Sequence, residues 1–408
     1  MSDLPILIAG AGPAGATLAY VLAARGVAVT LIERQRDFTR EFRGEVLMPG
    51  GVAALAQCGL GDLLESVPHR EPDSLALYRD GKLATSAQAA DVFALGMRAL
   101  IVSQPALLEA IVARASEHAG FRLLRGVSVR ELLRDARGRV AGVRVDGEGG
   151  AREIAAQLVV GADGRASAVR RRGEFAVKRI GAPLDVVWAK LPWPACYGDR
   201  RPVRGYLGRA HLLIALPAPD GALQIAWVIR KGSFGELRSR GPEEWVRAMA
   251  AHVSPDLAEH IRAHAGEISR PFLLDAETDR VRGWARPGVL LIGDAAHTMS
   301  PVGAQGINVA LRDAVVAANQ LMPALRANAD DAALDAAAAR VEPEHGPEID
   351  TIQALAKRPP SVVMGTFPGA ELVRAIVVSF IASRLGRGAV SRAGKVFLQG
   401  VREVKLAV

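Results

Sequence analysis

Residues 5–33 read PILIAGAGPAGATLAYVLAARGVAVTLIE, and their order decides the fold. An apolar run at 5–9 is followed at once by Gly10-Ala-Gly12-Pro-Ala-Gly15. Residues 14–25 then carry Leu18, Val21 and Leu22 at helical spacing, and Gly26 stands just past the helix end, where a left-handed residue is favoured. A second apolar run, 28–32, closes on Glu33. Strand, glycine turn, helix, strand and acid in this order form a βαβ unit carrying the dinucleotide fingerprint. Gly10 makes the tight turn, Gly12 lets the backbone approach a pyrophosphate, and Gly15 lets the helix pack close on the strand. The helix that opens at Ala14 offers free N–H groups and a partial positive charge to phosphate. Glu33 is placed to accept hydrogen bonds from a ribose.

Outward from this unit the chain alternates short strands with helices. Residues 75–78 and 82–86 flank Asp80-Gly81, a strong hairpin signal. Ser103 caps a helix expected over 105–118. Runs at 139–145 and 152–160 read as a second hairpin around the glycines at 147–150, and the latter run enters Gly161-Ala-Asp163-Gly164. Strands are expected at 184–191, 203–207, 212–216 and 223–229, separated by Pro and Gly clusters. Helices follow at 242–253 and 255–265, with strands at 272–274 and 289–292, the last entering Gly293-Asp294. A long helix is expected at 308–321, and the tail from about 347 reads as helical, broken at Pro359-Pro360.

Composition narrows the class. The chain has 408 residues, 50% hydrophobic and 23% charged, enough for two or three domains with real cores. Two cysteines, Cys58 and Cys196, supply neither a disulfide framework nor a four-ligand zinc site, which points to the reducing cytoplasm. The longest apolar run, 375–382, is far short of the ~18 residues that span a bilayer. The start of the chain carries no basic stretch of the secretory kind. The net charge of +8 comes mostly from scattered arginine, since only seven of the 51 basic residues are lysine. That pattern reads as a solvated surface rather than a nucleic-acid groove. No His/Cys cluster has metal spacing, and no Gly-x-Ser-x-Gly elbow is present.

Two further segments, LVVGADGRAS at 158–167 and LIGDAAHTMSPVGAQGINVAL at 291–311, each end a strand in a Gly/Asp turn. With the first fingerprint they resemble the three signatures of the class A flavoprotein monooxygenases, the para-hydroxybenzoate hydroxylase and ubiquinone hydroxylase type. The resemblance covers about residues 4–315. It implies an α/β fold: a Rossmann-like FAD-binding domain with an interleaved substrate domain on a mostly antiparallel sheet, plus C-terminal helices. It assigns residues 1–70, 98–178 and 281–345 to the FAD domain, 71–97 and 179–280 to the substrate domain, and 346–408 to a C-terminal helical segment.

The same resemblance implies site residues. Asp294 would bind the ribityl chain of FAD. The loop of Pro301, Gly303, Ala304, Gly306, Ile307 and Asn308 would wrap the pyrimidine edge of the flavin, with small residues exposing backbone N–H groups. A helix starting near Ile307 would point its positive end where charge collects on reduction. Asp163 resembles the residue between FAD and the approaching nicotinamide cofactor. Arg34 follows the ribose acid, Arg43 matches an arginine over the FAD phosphates, and Gln104 matches a glutamine of the para-hydroxybenzoate type. His297 belongs to the Gly-Asp motif as a structural residue. No catalytic side chain is assigned, because the chemistry is borne by the flavin.

The implied activity is hydroxylation or epoxidation of an aromatic or other electron-rich, lipophilic small molecule through a flavin C4a-hydroperoxide, using O2 and NADPH or NADH bound transiently. Such an intermediate needs a dry pocket, and Trp188, Tyr206, His211 and Trp227 are the candidate lining. The chain's four tyrosines, Tyr20, Tyr78, Tyr197 and Tyr206, leave at least half of the family's phenol-deprotonating pair missing. An activated ring needing no base, such as an aminoaryl, quinolone or polyketide phenol, fits better than para-hydroxybenzoate. The segment Trp188-Ala-Lys-Leu-Pro-Trp193 lacks the Trp-x-Trp-x-Ile-Pro pattern of flavin halogenases. Two other readings stand beside this one: a reductase of the geranylgeranyl-reductase type that never uses O2, and a flavoprotein that binds without turnover. Residues 372–408 alternate apolar and basic groups and suit a helical cap, a pocket cover or a membrane-surface helix. The oligomeric state is not legible.

Overall fold

The computed structural model describes residues 4–39, 45–92, 97–181, 184–208, 211–239, 241–301, 303–363 and 395–408, with only the backbone of His211 and of 358–363. A six-stranded sheet runs in the order Ala285–Arg286, Val289–Leu291, Leu158–Gly161, Ile6–Ala9, Val29–Glu33, Phe121–Arg125. It is parallel except at its first edge. Ile6–Ala9, Val29–Glu33 and Leu158–Gly161 are buried along their whole length. Continuous apolar runs are what a parallel sheet covered on both faces requires. Helix Pro13–Ala23 is buried from Ala14 onward, and its Ala and Gly residues let it lie against the long helix Gln305–Arg326. Gly10, Glu33 and Gly293 therefore sit at or just beyond the carboxyl ends of neighbouring strands, where ligands of open α/β sheets bind.

A seven-stranded sheet runs Phe272–Leu274, Leu184–Leu191, Leu223–Arg230, His211–Pro217, Pro202–Gly208, Ser74–Arg79, Lys82–Gln88. One pairing, Pro202–Gly208 with Ser74–Arg79, is parallel and the others are antiparallel. Trp188 stands opposite Ala226 and Phe272, whereas Trp227 stands opposite Val187 and Leu213. Side chains alternate across a sheet, so the two tryptophans lie on opposite faces. The face of Val187, Ile225, Trp227, Leu213 and Tyr206 packs under helices Pro242–Ala250 and Pro255–Ala263. The other face carries Val186, Trp188, Leu212, Ile214, Ala226, Val228 and Leu274.

Several expected elements shift. The run 152–160 is not one strand. Arg152–Ala155 pairs with Val140–Asp146, while Leu158–Gly161 joins the parallel sheet. The exchange occurs where Ala156 N–H donates to Ala141 O at 2.9 Å and Gln157 N–H to Pro5 O at 3.0 Å. The long helix starts at Gln305, three residues early, and ends at Arg326. The two helices of the second unit end sooner than expected, at Ala250 and Ala263. Helix Val341–Val363 begins before 347, and its backbone stays helical through 359 and 360, because a proline removes a donor without forcing an end. The Asp80-Gly81 hairpin forms with both residues left-handed, at φ 49° and 74°.

Residues 364–394, on which most of the expected C-terminal helical segment falls, lie outside the described residues; of 395–408, residues 395–399 form one helical turn and 400–408 run irregularly. Val396, Phe397, Val404, Leu406 and Val408 pack on the core of the parallel sheet. Arg25 donates to Val408 O at 2.9 and 2.7 Å, and Asn319 Nδ2 to Lys405 O at 2.7 Å. Among the described residues, no helix is long and apolar enough to cross a membrane.

Candidate functional site: a dinucleotide cradle facing an apolar sheet

The three motifs converge on one end of the parallel sheet. Gly10 has φ +100°, and a Cβ there would lie 2.4 Å from Ala162 O. A Cβ on Gly15 would lie 2.0 Å from Gly10 O. Both glycines are therefore demanded by close packing. Gly12 differs: at φ −72° it tolerates a side chain, yet nothing stands within 4 Å of its Cβ position. The space beside Gly12 is open, and the helix behind it has no side-chain cap. Free N–H groups beside an open backbone suit phosphate oxygens. Glu33, 3% exposed, accepts Ala11 N–H at 3.0 Å through Oε2 and Gln35 N–H at 3.0 Å through Oε1. It thus shapes the glycine loop. Ala14 is buried and Arg34 is exposed at the strand end.

Gly293 (φ +62°) brings the Gly-Asp turn to the start of the first helix, where its Cβ would lie 3.2 Å from Ala14 Cβ. Asp294, about one-third exposed, meets Arg165 Nε at 3.4 Å. Arg165 also donates to Asp275 O at 3.3 Å, one residue beyond strand Phe272–Leu274 of the second sheet. Asp163 is engaged by its own segment of the chain. Its carboxylate accepts the Ser167 hydroxyl and the N–H groups of Ala168 (2.6 Å) and Val169 (3.1 Å), capping helix Ala168–Arg172. Burial pushes its carboxyl above the ordinary range against those bonds.

At the third motif, Gly303 (φ +82°) and Ala304 (φ +52°) are both left-handed, and the long helix begins at once without a side-chain cap. A Cβ on Gly303 would strike the Phe397 ring at 2.7 Å, whereas nothing lies within 4 Å of a Cβ on Gly306. Gln305 Nε2 donates to Gly303 O (2.7 Å) and Phe397 O (2.8 Å), so the C-terminal turn braces this loop. Asn308 spends its side chain on the chain itself. It accepts Met48 N–H at 2.8 Å and donates to Val46 O at 3.1 Å and Ala304 O at 2.8 Å. Ile307 is buried and Pro301 half-buried. Gln104 is buried as the first residue of helix Gln104–Ser116. Arg43 lies outside the described residues.

A buried charge cluster behind the Gly-Asp turn went unread in the sequence. Asp313, on the long helix, accepts Gly293 N–H at 2.7 Å through Oδ2 and meets His345 Nδ1 at 2.6 Å through Oδ1. His297 Nε2 stands 2.9 Å from Asp313 Oδ2, out of hydrogen-bond alignment. The two imidazoles hold the Asp313 carboxyl well below its usual range despite burial. Asp313 and Glu348 raise His345 to about 9, overcoming desolvation. His297 packs its ring 4.9 Å from that of Trp284 and serves the fold.

The candidate pocket lining divides. Tyr206 is fully buried on the helix-covered face, stacked on Tyr78 at 4.7 Å and bonded to Ser254 Oγ at 3.0 Å. Trp227 packs near Trp245 on that same face. Both belong to the core of the second unit, on the face its helices cover. Trp188 lies on the opposite face. Of His211 only the backbone, in strand His211–Pro217, is described. The sequence reading missed Glu45, which enters the space over Trp188's face. Burial raises its carboxyl, opposed by Lys190 and Gln224 of that face.

Open backbone at Gly12 and Gly306, a buried acid at Glu33 and a partly exposed acid at Asp294 fit an extended dinucleotide. A family model described as FAD binding domain matches residues 3–344. The chain belongs to this FAD-binding family. It is 36% identical over 344 residues to 6-methylpretetramide 4-monooxygenase of Streptomyces rimosus, covering 83% of this chain and 80% of that protein. It is 28% identical over 402 residues to the ubiquinone hydroxylase UbiL of Rhodospirillum rubrum, covering 95% and 86%. The structure of PqsL, a probable FAD-dependent monooxygenase from Pseudomonas aeruginosa, matches with a TM-score of 0.77 at 26% identity, over 91% of this chain and 99% of that one. The fold is also that of p-nitrophenol 4-monooxygenase PnpA from Pseudomonas putida, with a TM-score of 0.80 at 19% identity over 98% and 99% of the two chains. This family member is thus a FAD-dependent class A flavoprotein monooxygenase.

Proposed function

We propose that this flavoprotein hydroxylates or epoxidises an aromatic or other electron-rich, lipophilic small molecule, using NAD(P)H and O2. The observation that carries the reading is the apolar face of the second sheet, Val186, Leu212, Ile214, Val228 and Leu274, which Glu45 and Arg165 connect to the cradle. The redox chemistry, reduction by NAD(P)H and activation of O2, is supplied by FAD. The chain's own part is to bind and to keep water out. The glycine loop and first helix would hold the pyrophosphate, Glu33 the ribose and Asp294 the ribityl chain. The uncapped start of the long helix, with Gly306, would hold the pyrimidine edge, where its partial positive charge favours the reduced flavin. Arg34, Arg43, Gln104 and Asp163 complete the proposed set, Asp163 through the cap it makes.

The two large sheets draw their strands from separate sets of residues. This supports a FAD domain of 1–70, 98–178 and 281–345 and a substrate domain of 71–97 and 179–280. We place the protein in the cytoplasm, in keeping with two free cysteines, Cys58 and Cys196. Its partners are the small-molecule substrate and O2. Its arginines pair widely with acids, as in Arg125–Glu109, Arg139–Asp335 and Arg282–Asp350, which speaks against a nucleic-acid groove. Relatives named as monooxygenases favour this reading over an O2-independent reductase. The test is an oxygen-electrode assay of the FAD-loaded protein with NADPH or NADH and a library of polycyclic phenols and aminoaryls. Substrate-stimulated O2 uptake is expected, and stimulation of NAD(P)H oxidation without O2 uptake overturns the reading.

A further inference from the structure

Three buried polar atoms on the cradle-facing side of the second sheet have no hydrogen-bond partner: Glu45 Oε2, Gln224 Oε1 and Trp188 Nε1. Gln224, 2% exposed, stands opposite Lys190, and Trp188 stands opposite Ala226. Gln224 and Trp188 are therefore diagonal neighbours on one face. Glu45 reaches this face from the segment before strand Val46–Leu47, close enough to feel both Gln224 and Lys190. The Lys190 ammonium donates to Asp220 at 2.6 Å. Around the three atoms the wall is apolar, made by Leu212, Ile214, Ala226 and Val228. A buried polar group without a partner is costly, and proteins keep one where a ligand or water completes it.

We propose that Glu45, Gln224 and Trp188 form the polar end of the substrate pocket and select a flat lipophilic aromatic that carries an O–H or N–H donor beside a carbonyl. This rests on the monooxygenase reading above and adds the substrate class. Beside a carboxylate the Gln224 amide turns its Nε2 toward Glu45, which leaves Oε1 as an acceptor. Glu45 Oε2 and Gln224 Oε1 then accept from the donor, and the Trp188 indole N–H donates to the carbonyl. A hydrocarbon, or an aromatic whose donor is blocked, leaves two buried acceptors dry and is rejected. This gives Glu45 a positioning role toward a phenol or arylamine.

The probe pair is 1-aminoanthraquinone and 1-methylanthraquinone, nearly equal in size: one amine N–H bonds internally to the carbonyl and the other is free to donate, whereas the methyl group donates nothing. Each is titrated calorimetrically into FAD-loaded protein at equal flavin absorbance. The amine is expected to bind at least about tenfold tighter than the methyl compound, the size expected of a hydrogen bond to a charged acceptor. Glu45→Gln is expected to cut that preference to about threefold or less. Gln224→Leu, which leaves Glu45 in place, should lower it in the same direction, with thermal melts confirming that each variant folds. Equal binding of the two probes by the wild type, failure of both to bind, or an undiminished preference in both variants overturns the proposal. None of those outcomes touches the monooxygenase reading, which fails separately if O2 uptake is never coupled to NAD(P)H oxidation.

Discussion

The Asp313 carboxylate takes the Gly293 N–H at 2.7 Å, so the long helix holds the turn that presents Asp294. The same carboxylate faces His345 and His297, and nothing in the cluster is open to water. Asp313→Ala would leave an amide and two imidazoles buried without their partner. A loss of about 3–5 kcal/mol is expected, the scale of a broken buried pair, together with weaker FAD binding. Urea unfolding with flavin fluorescence checks both, and an unchanged midpoint would show the cluster to be ornamental.

The pH dependence of stability follows from the same pair. His345 is raised to about 9 in the fold, so its contribution is complete below the ordinary histidine value and lost as pH climbs towards 9. Asp313 is lowered, so its contribution is complete above the ordinary carboxylate value and lost on acidification. Thermal midpoints should peak between about pH 5 and 6.5 and fall on the alkaline side. His345→Gln should flatten that alkaline limb, and a limb of unchanged slope in the variant refutes the assignment.

Gly12 and Gly15 should separate binding from folding. Gly12→Val adds a side chain to open space at a permitted φ, so the melting temperature of the FAD-free protein should hold. FAD affinity should fall tenfold or more, about 1.4 kcal/mol. Gly15→Ala pushes a methyl against Gly10 O and should cost about 1–3 kcal/mol of stability. Equal effects of the two variants on the FAD-free melt would contradict this division.

The two tryptophans on opposite faces of the second sheet should behave differently. Trp227→Ala empties a packed core and should cost about 3–5 kcal/mol. Trp188→Phe keeps one aromatic ring and loses the unpartnered N–H with part of the indole, so denaturant unfolding should move by about 1–2 kcal/mol, less than for Trp227→Ala. A larger loss for Trp188→Phe than for Trp227→Ala reverses the placement.

Much of this was legible in advance, for physical reasons. The βαβ unit announces itself because each glycine answers a separate steric demand, and Asp80-Gly81 because both positions need left-handed backbone. The strands between 184 and 230 appeared with nearly their observed bounds. Which of their faces looks toward the cradle did not, because both faces are covered: Leu223–Arg230 is buried at every position but its last. With no polar stripe, only the register separates Trp188 from Trp227 and Tyr206. Run 152–160 hid a change of sheet, since parallel and antiparallel strands look alike when both are apolar. Glu45 and His345 belong to no motif. Asn308 sits in a cofactor signature yet bonds to Met48 and Val46, a use that spacing does not show.

The most direct test of the central claim is isotopic. FAD-loaded protein, NADPH and a substrate from the phenol and aminoaryl library that stimulates turnover are incubated under 18O2, and the product is weighed by mass spectrometry. A monooxygenase places one atom of 18O in the product and the other in water. A product that is reduced, or that carries oxygen only from water, contradicts the account.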